Sequence, residues 1–356
     1  MLVSEVCHRY FPYIGGVETH VAEISTRLIR NGLLIQVLTT DPSGLLPKEE
    51  NIMGVKVRRF KSWAPNEAYY FSPSLKKYLK KNSSQFDIVH AHGYHSFPAL
   101  YAAQAKGKNK LVFTPHYHGS GHTFFRSLLH RPYRFLSRKI FSKADAIICV
   151  SNYEKSLISK HFEVDAGKVV TIPNGINLVE FKDLRRERKD NKTILYVGRL
   201  EEYKGAQHLV KVLPHLEQDF ILEIIGKGPY KETLIRLVKK LDLVNRVRFF
   251  QDLPRGELLQ KYADADVFVL LSGREAFGIT VAEALASGTP CVLANTSALT
   301  EWIDDQNCFG VEYPIEYEEL AKVIARTIGK RVSSIKLWDC EDVAEKVSQL
   351  YSNVTA

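Results

Sequence analysis

Residues 267–288 read VFVLLSGREAFGITVAEALASG, and the fold follows from how this stretch is divided. Val267 to Leu271 is apolar throughout and has the length of a strand buried on both faces. The alanine-rich run after Gly278 has the composition of a helix, and Gly288 and Pro290 stop it. The unit is strand, glycine-containing turn, helix, the repeat from which doubly wound α/β sheets are built.

A helix N-terminus presents unpaired N–H groups and a partial positive charge, which suits a phosphate. Glu275 lies in the turn and Glu283 in the second turn of the helix. Both would repel a phosphate. They suit hydroxyl groups at the two ends of a ligand with phosphate in its middle, which is the layout of a nucleotide sugar. Each also has a plainer reading, as a helix-dipole partner or as part of a solvated face. Taken together, Glu275-x-Phe277-Gly278 with Glu283 resembles the E-x-F-G-x-x-x-x-E segment of the retaining glycosyltransferases of family 4. The resemblance implies an α/β protein of GT-B architecture, with two Rossmann-like doubly wound domains facing across a cleft.

The chain is 356 residues long, which favours two domains over one core. With 45% hydrophobic and 25% charged residues it has a soluble globular composition. No apolar run approaches a membrane span, and the N-terminus has no basic segment leading into an apolar one. The five cysteines, Cys7, Cys149, Cys291, Cys308 and Cys340, are scattered without a C-x-x-C pair. Buried reduced thiols in a cytoplasmic protein are expected.

Charge is unevenly distributed. Residues 1–175 hold 24 Lys and Arg against 12 Asp and Glu, a net of +12; residues 176–356 hold 25 against 28, a net of −3, together the +9 of the chain. No carboxylate falls between Asp87 and Asp145. So basic a first half implies an anionic partner.

The opening reads as a Rossmann-like β–loop–α–β: a strand at Leu2–Cys7, a loop holding Gly15 and Gly16, a helix from Glu18 to Arg30, and a strand at Leu33–Leu38. The dinucleotide fingerprint G-x-G-x-x-G is missing, which disfavours an oxidoreductase. Gly15-Gly16 is either a plain turn or a close approach of backbone to an anion. Further strands are expected at Val55–Phe60, Asp87–His90, Lys110–Thr114, Ala144–Val150 and Val169–Ile172, with residues 61–71 as loop. His90-Ala91-His92 and His116 fall at strand carboxyl ends, where open α/β sheets bind ligands.

Arg126–Lys143 shows helical apolar stripes (Leu128, Leu129, Phe135, Leu136, Ile140, Phe141) interrupted by Pro132, with Arg126, Arg131, Arg134, Arg138, Lys139 and Lys143 filling other positions. Two readings stand: a helix packed on the sheet, or a surface that meets an anionic membrane or lipid phosphate. Nucleic acid is not expected, because no reading motif accompanies the charge. Asn177–Asn191 is charged and aperiodic, as a linker would be. A second alternation follows, with strands at Thr193–Val197, Phe220–Ile225, Val247–Phe249, Val267–Leu271 and Pro290–Leu293. Its helices lie near Ala206–Leu216, Tyr230–Leu241, Gly256–Tyr262, Ile279–Ala286 and Glu316–Ile328, and a last helix covers about Asp339–Tyr351.

Gly198-Arg199-Leu200 and Lys204 follow the first strand of this second half. A planar fork of donors and a point charge suit a diphosphate. Gly226-Lys227-Gly228-Pro229 follows the next strand, where glycines would admit a base or ribose against the backbone. Asp264-Ala265-Asp266 has the form of a metal-binding D-x-D, yet it ends a helix and leads into the next strand, so no metal is expected.

The resemblance adds roles. It implies residues 1–176 as an acceptor-binding domain, 177–191 as a linker, 192–338 as a donor domain, and the helix at about 339–356 packing back on the first. It implies Arg199, Lys204, Glu275 and His116 as the catalytic set. Gly15, Gly16, Gly198, Gly226, Gly228, Phe277, Gly278, Ile279 and Glu283 would hold the donor, a UDP-, GDP- or ADP-sugar. Arg126, Arg131, Arg134, Arg138 and Lys139 are candidates for acceptor or membrane contact. The expected activity is hexosyl transfer with retention to a membrane- or lipid-linked acceptor, without a cofactor, in a cytoplasmic protein that attaches peripherally to the membrane. A soluble acceptor and a non-catalytic nucleotide-sugar-binding protein are the alternatives. Arg199, Lys204, Glu275 and Glu283 together argue against the second, since a binder does not need all four.

Overall fold

The computed structural model describes all residues except 120–123, 188–189 and 334, and the side chains of these apart from Asn66 and residues 124–132. The chain divides into two compact units, Met1–Gly175 with Trp338–Ala356, and Ile176–Leu337.

The first unit contains β1 (Leu2–Val6), α1 (Gly16–Arg30), β2 (Leu34–Asp41), β3 (Glu49–Ile52), β4 (Val55–Lys61), α2 (Pro73–Asn82), β5 (Ile88–His92), α3 (Phe97–Gln104), β6 (Lys110–Thr114), α4 (Phe124–Lys143), β7 (Ala146–Cys149), α5 (Asn152–His161) and β8 (Val169–Thr171). Its sheet runs β3-β4-β2-β1-β5-β6-β7-β8, parallel except for the β3–β4 hairpin. The second unit contains β9 (Lys192–Val197), α6 (Ala206–Val212), β10 (Phe220–Ile225), α7 (Lys231–Lys240), β11 (Val247–Phe250), α8 (Arg255–Asp264), β12 (Val267–Leu270), α9 (Ile279–Ala286), β13 (Cys291–Ala294), β14 (Cys308–Val311) and α10 (Tyr317–Thr327). Its parallel sheet runs β11-β10-β9-β12-β13-β14. This is the 3-2-1-4-5-6 order of doubly wound folds, in which ligands bind where the strand order reverses. Here that point lies between β9 and β12. In the first unit it lies between β1 and β5.

The strands are apolar because helices cover both sheet faces; every residue of β10 is buried. The last helix, α11 (Cys340–Thr355), belongs to the first unit and buries Val343, Ala344, Val347 and Tyr351. It packs in one core with Val21, Ile24 and Leu28 of α1. Residues 177–187 pack on the second unit. Phe181 enters its core, Arg186 pairs with Asp266, and the Glu187 N–H donates to Asp264 Oδ1 at 2.9 Å.

Several elements differ from expectation. α4 runs through Pro132 without interruption. A proline inside a helix costs about 3 kcal/mol, which burial of Tyr133, Ile140 and Phe141 offsets. The Tyr133 hydroxyl also donates to the carbonyls of Tyr94 and Ser96. Of the apolar stripes, Phe135 and Leu136 are exposed, whereas Ile140 and Phe141 are buried. Residues 61–71 are more ordered than a loop: Trp63 and Phe71 exchange two backbone hydrogen bonds, of 2.9 and 2.8 Å. All five cysteines are buried, and no disulfide joins any two of them. Among the described residues no helix is long and apolar enough to cross a membrane.

Candidate active site

In the second unit the loops after β9 and β12 leave the sheet at the point of strand reversal, and they carry Arg199, Lys204 and Glu275. The Lys204 Nζ lies 2.6 Å from Glu275 Oε1. Both side chains are largely sheltered, at 18% and 13% exposure. Burial pulls the Lys204 pKa down, but the Glu275 carboxylate and the Tyr203 ring outweigh it, so the ammonium is held above the ordinary lysine value. The Glu275 loop is fixed from three sides. Its own N–H donates to Ser297 Oγ at 3.0 Å, the Gly273 N–H donates to the Tyr203 carbonyl at 2.8 Å, and the Phe277 carbonyl accepts Trp302 Nε1 at 2.7 Å. Arg199 is half-exposed and pairs with Glu201 at 2.8 Å.

Gly278, at φ +97°, is the N-cap of α9. Ile279 opens the helix, whose first amide groups end in the same loop. Glu283, one turn on, is buried. Arg255 Nη1 lies 2.5 Å from its Oε1, and the Tyr262 hydroxyl lies 2.9 Å from its Oε2. Gly226 and Gly228 form a turn stacked on residues 198–200. A Cβ on either would lie 1.9 Å from the Gly198 oxygen or 2.2 Å from the Leu200 oxygen, so only glycine fits. Asp264 accepts from Gln260 Nε2 at 2.7 Å as well as from the Glu187 N–H. Asp266 accepts the Thr193 N–H at 2.8 Å. The D-x-D carboxylates thus join Arg186, Glu187 and Thr193 to α8 and β12.

The reversal point of the first unit carries imidazoles. Glu5 on β1 faces His90 in register on β5. Its Oε2 lies 2.7 Å from His92 Nε2 and 3.3 Å from His90 Nδ1, and its Oε1 accepts the Tyr351 hydroxyl at 2.8 Å. His90 Nδ1 also lies 2.6 Å from that hydroxyl, and its Nε2 lies 2.8 Å from Thr114 Oγ1. Burial would raise the Glu5 pKa, but the two histidines hold its carboxyl well below the usual range. Burial and His90 push His92 down to about 4. Burial, His92 and His90 push His20 down to about 3. Glu5, His90 and His92 bring candidate metal-ligand atoms within 4.8 Å of one another. These atoms already serve the network that ties α11 to the sheet.

His116, with φ +50°, sits after β6, its ring centroid 5.6 Å from that of His20 and 6.0 Å from that of His92. Burial and these neighbours push its pKa well down, so the ring is neutral at neutral pH. Gly15 is the N-cap of α1 and Gly16 its first residue. The Glu18 carboxylate folds back so close that a Cβ on Gly15 would lie 2.5 Å from its oxygen. Glu18 also holds Arg9 at 2.8 Å. The side chains of Arg126 and Arg131 lie outside the described residues. Arg134, Arg138 and Lys139 are exposed on α4 beside the bare Phe135 and Leu136.

Sequence reading missed Arg255, Tyr262, Ser297, Glu5 and Tyr351. Arg255 stands in a plain helix start, LPRGEL. Tyr262 falls on an apolar helix face. Nothing local marks either.

Two parallel-sheet Rossmann-like units with loops converging on a strand reversal are the GT-B fold of glycosyltransferases. The chain matches Glycosyltransferase Family 4 over residues 14–180 and Glycosyl transferases group 1 over residues 180–336. It belongs to this family and is a glycosyltransferase. It is 27% identical to an uncharacterized glycosyltransferase of Methanocaldococcus jannaschii, over 99% of this chain and 98% of that protein. It is 30% identical to a glycogen synthase of Mycobacterium tuberculosis, over 85% and 80%. It is 26% identical to an alpha-monoglucosyldiacylglycerol synthase of Streptococcus pneumoniae, over 96% and 83%. Among solved structures, a sucrose-phosphate synthase from Thermosynechococcus elongatus superposes with a TM-score of 0.80 at 22% identity, over 99% and 98% of the chains. Anabaena HepE in complex with UDP and glucose superposes with a TM-score of 0.79 at 18% identity, over 99% and 100%.

Proposed function

We propose that this enzyme moves a sugar, with retention of configuration, from a nucleotide-diphosphate sugar to a membrane- or lipid-linked acceptor. The observation that carries the donor half is the largely sheltered Lys204–Glu275 pair at 2.6 Å, set at a strand reversal beside the N-terminus of α9. The hard step is breaking the bond between the anomeric carbon and the diphosphate oxygen, because negative charge builds on the leaving group. Arg199, Lys204 and the amide groups of residues 277–279 stabilise that charge. These fixed donors call for no metal ion or cofactor. The acceptor hydroxyl adds on the face the phosphate leaves, and its proton passes to the departing phosphate oxygen. Glu275 accepts hydroxyls of the transferred sugar and orients it, without becoming a covalent nucleophile. Glu283 accepts the ribose hydroxyls. His116, kept neutral, serves the sugar as a hydrogen-bonding group.

The acceptor half is supported by the net +12 of residues 1–175 and by α4, which exposes Phe135 and Leu136 between Arg134 and Arg138. Cations interleaved with bare apolar side chains suit an anionic interface. The Streptococcus pneumoniae relative is named for a glycolipid product. In this reading the enzyme works in the cytoplasm, peripherally on the membrane. A soluble acceptor is the second reading, favoured by the 30% identity to a glycogen synthase.

The test is a thermal-shift panel of UDP, GDP and ADP with their sugar conjugates. A ligand at ~100 times its dissociation constant adds about 2.7 kcal/mol to the native state. One nucleotide is expected to stand out, and no shift with any of them would remove the donor assignment. Sedimentation with phosphatidylglycerol vesicles tests the acceptor half. Binding should fall on adding salt and on replacing Arg134, Arg138 and Lys139 by Gln. Binding unchanged by either would favour the soluble acceptor.

A further inference from the structure

Glu283 is held at both oxygens by residues with no role in the function proposed above. Arg255, the first residue of α8, places Nη1 2.5 Å from Glu283 Oε1. The rest of its guanidinium is clamped by Glu180, with Nη2 at 2.8 Å and Nε at 2.9 Å from Glu180 Oε2, and lies over the Phe181 ring at 6.0 Å. From the other side Tyr262, fully buried, gives its hydroxyl to Glu283 Oε2 at 2.9 Å. The Tyr262 carbonyl is itself engaged by Thr289 Oγ1 at 2.6 Å. The carboxylate therefore cannot rotate without breaking a bond at each oxygen.

We infer that Arg255 is the positioning residue of the ribose subsite, and that selectivity for ribose over deoxyribose runs through it. The proposal rests on Glu283 accepting ribose hydroxyls. An ionised carboxylate has about four lone-pair sites. Arg255 and Tyr262 take one on each oxygen, which leaves one on each oxygen facing away from them. Two acceptors at fixed separation on one planar group match two adjacent hydroxyls, and a freely turning carboxylate would not. Arg255 can do this because its fork spans Glu283 and Glu180 at once. A lysine offers a single point charge and cannot hold both with fixed geometry. The Glu180 contact keeps the fork from turning, so Glu180 contributes through Arg255 and touches no ligand.

The experiment is a binding cycle with UDP, GDP or ADP, whichever binds best, and its 2′-deoxy counterpart, on the wild-type enzyme and on Arg255→Met. Loss of a hydrogen bond to a charged group is worth about 1.5–3 kcal/mol, so the wild type should prefer the ribonucleotide by ~10-fold or more. In Arg255→Met the ribonucleotide should weaken more than the deoxynucleotide, which offers Glu283 a single hydroxyl, so that the preference collapses towards one. Arg255→Lys should recover only part of it, and Glu180→Gln should lower it by a smaller factor. If both nucleotides weaken by the same factor, Arg255 is merely structural and the inference fails. An unchanged preference in Arg255→Met overturns it equally. A wild-type enzyme that does not distinguish the two nucleotides would remove the ribose role of Glu283 itself, a different result from either. Should Arg255→Met not fold, the Glu180→Gln and Arg255→Lys ratios decide the matter, since wild-type preference in both would refute the inference.

Discussion

Replacing Lys204 by Met keeps the length and apolar stem of the side chain and removes only the ammonium. Two losses are expected, and they can be separated. The first is structural. Glu275 loses the cation 2.6 Å from its Oε1 while remaining 13% exposed. Orphaning one partner of a fully buried pair costs about 3–5 kcal/mol, and the residual exposure of both side chains brings the expectation down to about 2 kcal/mol. In a unit of this size that lowers the melting temperature by roughly 4–8 °C. The second loss is catalytic. Removing one charge-stabilising donor typically lowers kcat by ~100-fold. The pairing Lys204→Met with Glu275→Gln tells the two apart, because a neutral amide no longer needs the cation. Melting temperature should recover in the double variant, while kcat at saturating donor should stay at least ~100-fold below that of Glu275→Gln alone. Calorimetry reads the first quantity and nucleoside diphosphate release the second. A near-normal kcat in Lys204→Met would refute the diphosphate role. A double variant with the stability and the kcat of Glu275→Gln alone would show that losing Lys204 had damaged only the fold.

Tyr351→Phe removes the hydroxyl shared by Glu5 and His90. Leaving that buried site short of a donor should cost the first unit about 1–3 kcal/mol, read as an earlier first transition in urea with the second unit unmoved. The same unit should lose stability in acid. His92 and His20 have folded pKa values of about 4 and about 3 against 6.5, so the unfolded chain binds protons first. Their contribution is complete above pH 6.5 and is lost as pH falls towards 3. Urea midpoints that stay flat or rise from pH 7 to pH 5 would contradict this. Gly228→Ala sets a Cβ 2.2 Å from the Leu200 oxygen at φ +158°, and should abolish the nucleotide-induced thermal shift. A normal shift would mean that the 226–228 turn is not part of the site.

The second unit was legible because its chemistry sits next to its secondary-structure signals. The apolar run, Gly278 and the helix stop in residues 267–288 locate β12 and α9 within one residue. The reach of Arg199, Lys204 and Glu275 follows from their positions just after strands. Expectations fell short where partners are distant in sequence. Arg255 meets Glu283 across 28 residues, and Tyr351 meets Glu5 across 346; no periodicity encodes such pairs. β3, β14, α2 and α3 carry weak patterns. β14 is a four-residue edge strand, and α3 is mostly buried, so its apolar residues show no polar face. On α4 the periodicity was visible but did not decide which apolar residues pack and which stay exposed. Tyr133 and Ser137 face inward through hydroxyl bonds, while Phe135 and Leu136 are left bare. Counting apolar residues alone cannot make that division.

Three cations around the candidate site of the second unit are already matched to carboxylates: Arg199 to Glu201 at 2.8 Å, Lys204 to Glu275 at 2.6 Å, and Arg255 to Glu283 at 2.5 Å. A buried cation without a partner would be costly or would lose its proton. Pairing keeps Lys204 ionised and aimed before any ligand arrives. In the proposed reading the pairs then differ in fate. A diphosphate draws Lys204 away from Glu275, and that exchange frees the Glu275 carboxylate for sugar hydroxyls. One event thus prepares both the leaving group and the group that orients the sugar. Arg255 has no such exchange to make, because it faces Glu180 and Glu283 and Tyr262 shares the load. The two glutamates of one motif are therefore used in opposite ways, Glu275 as a carboxylate to be released and Glu283 as one to be kept still. That difference comes from the cation each is given: Lys204 approaches from the loop after β9, where the phosphate also binds in this reading, whereas Arg255 is tied down by Glu180.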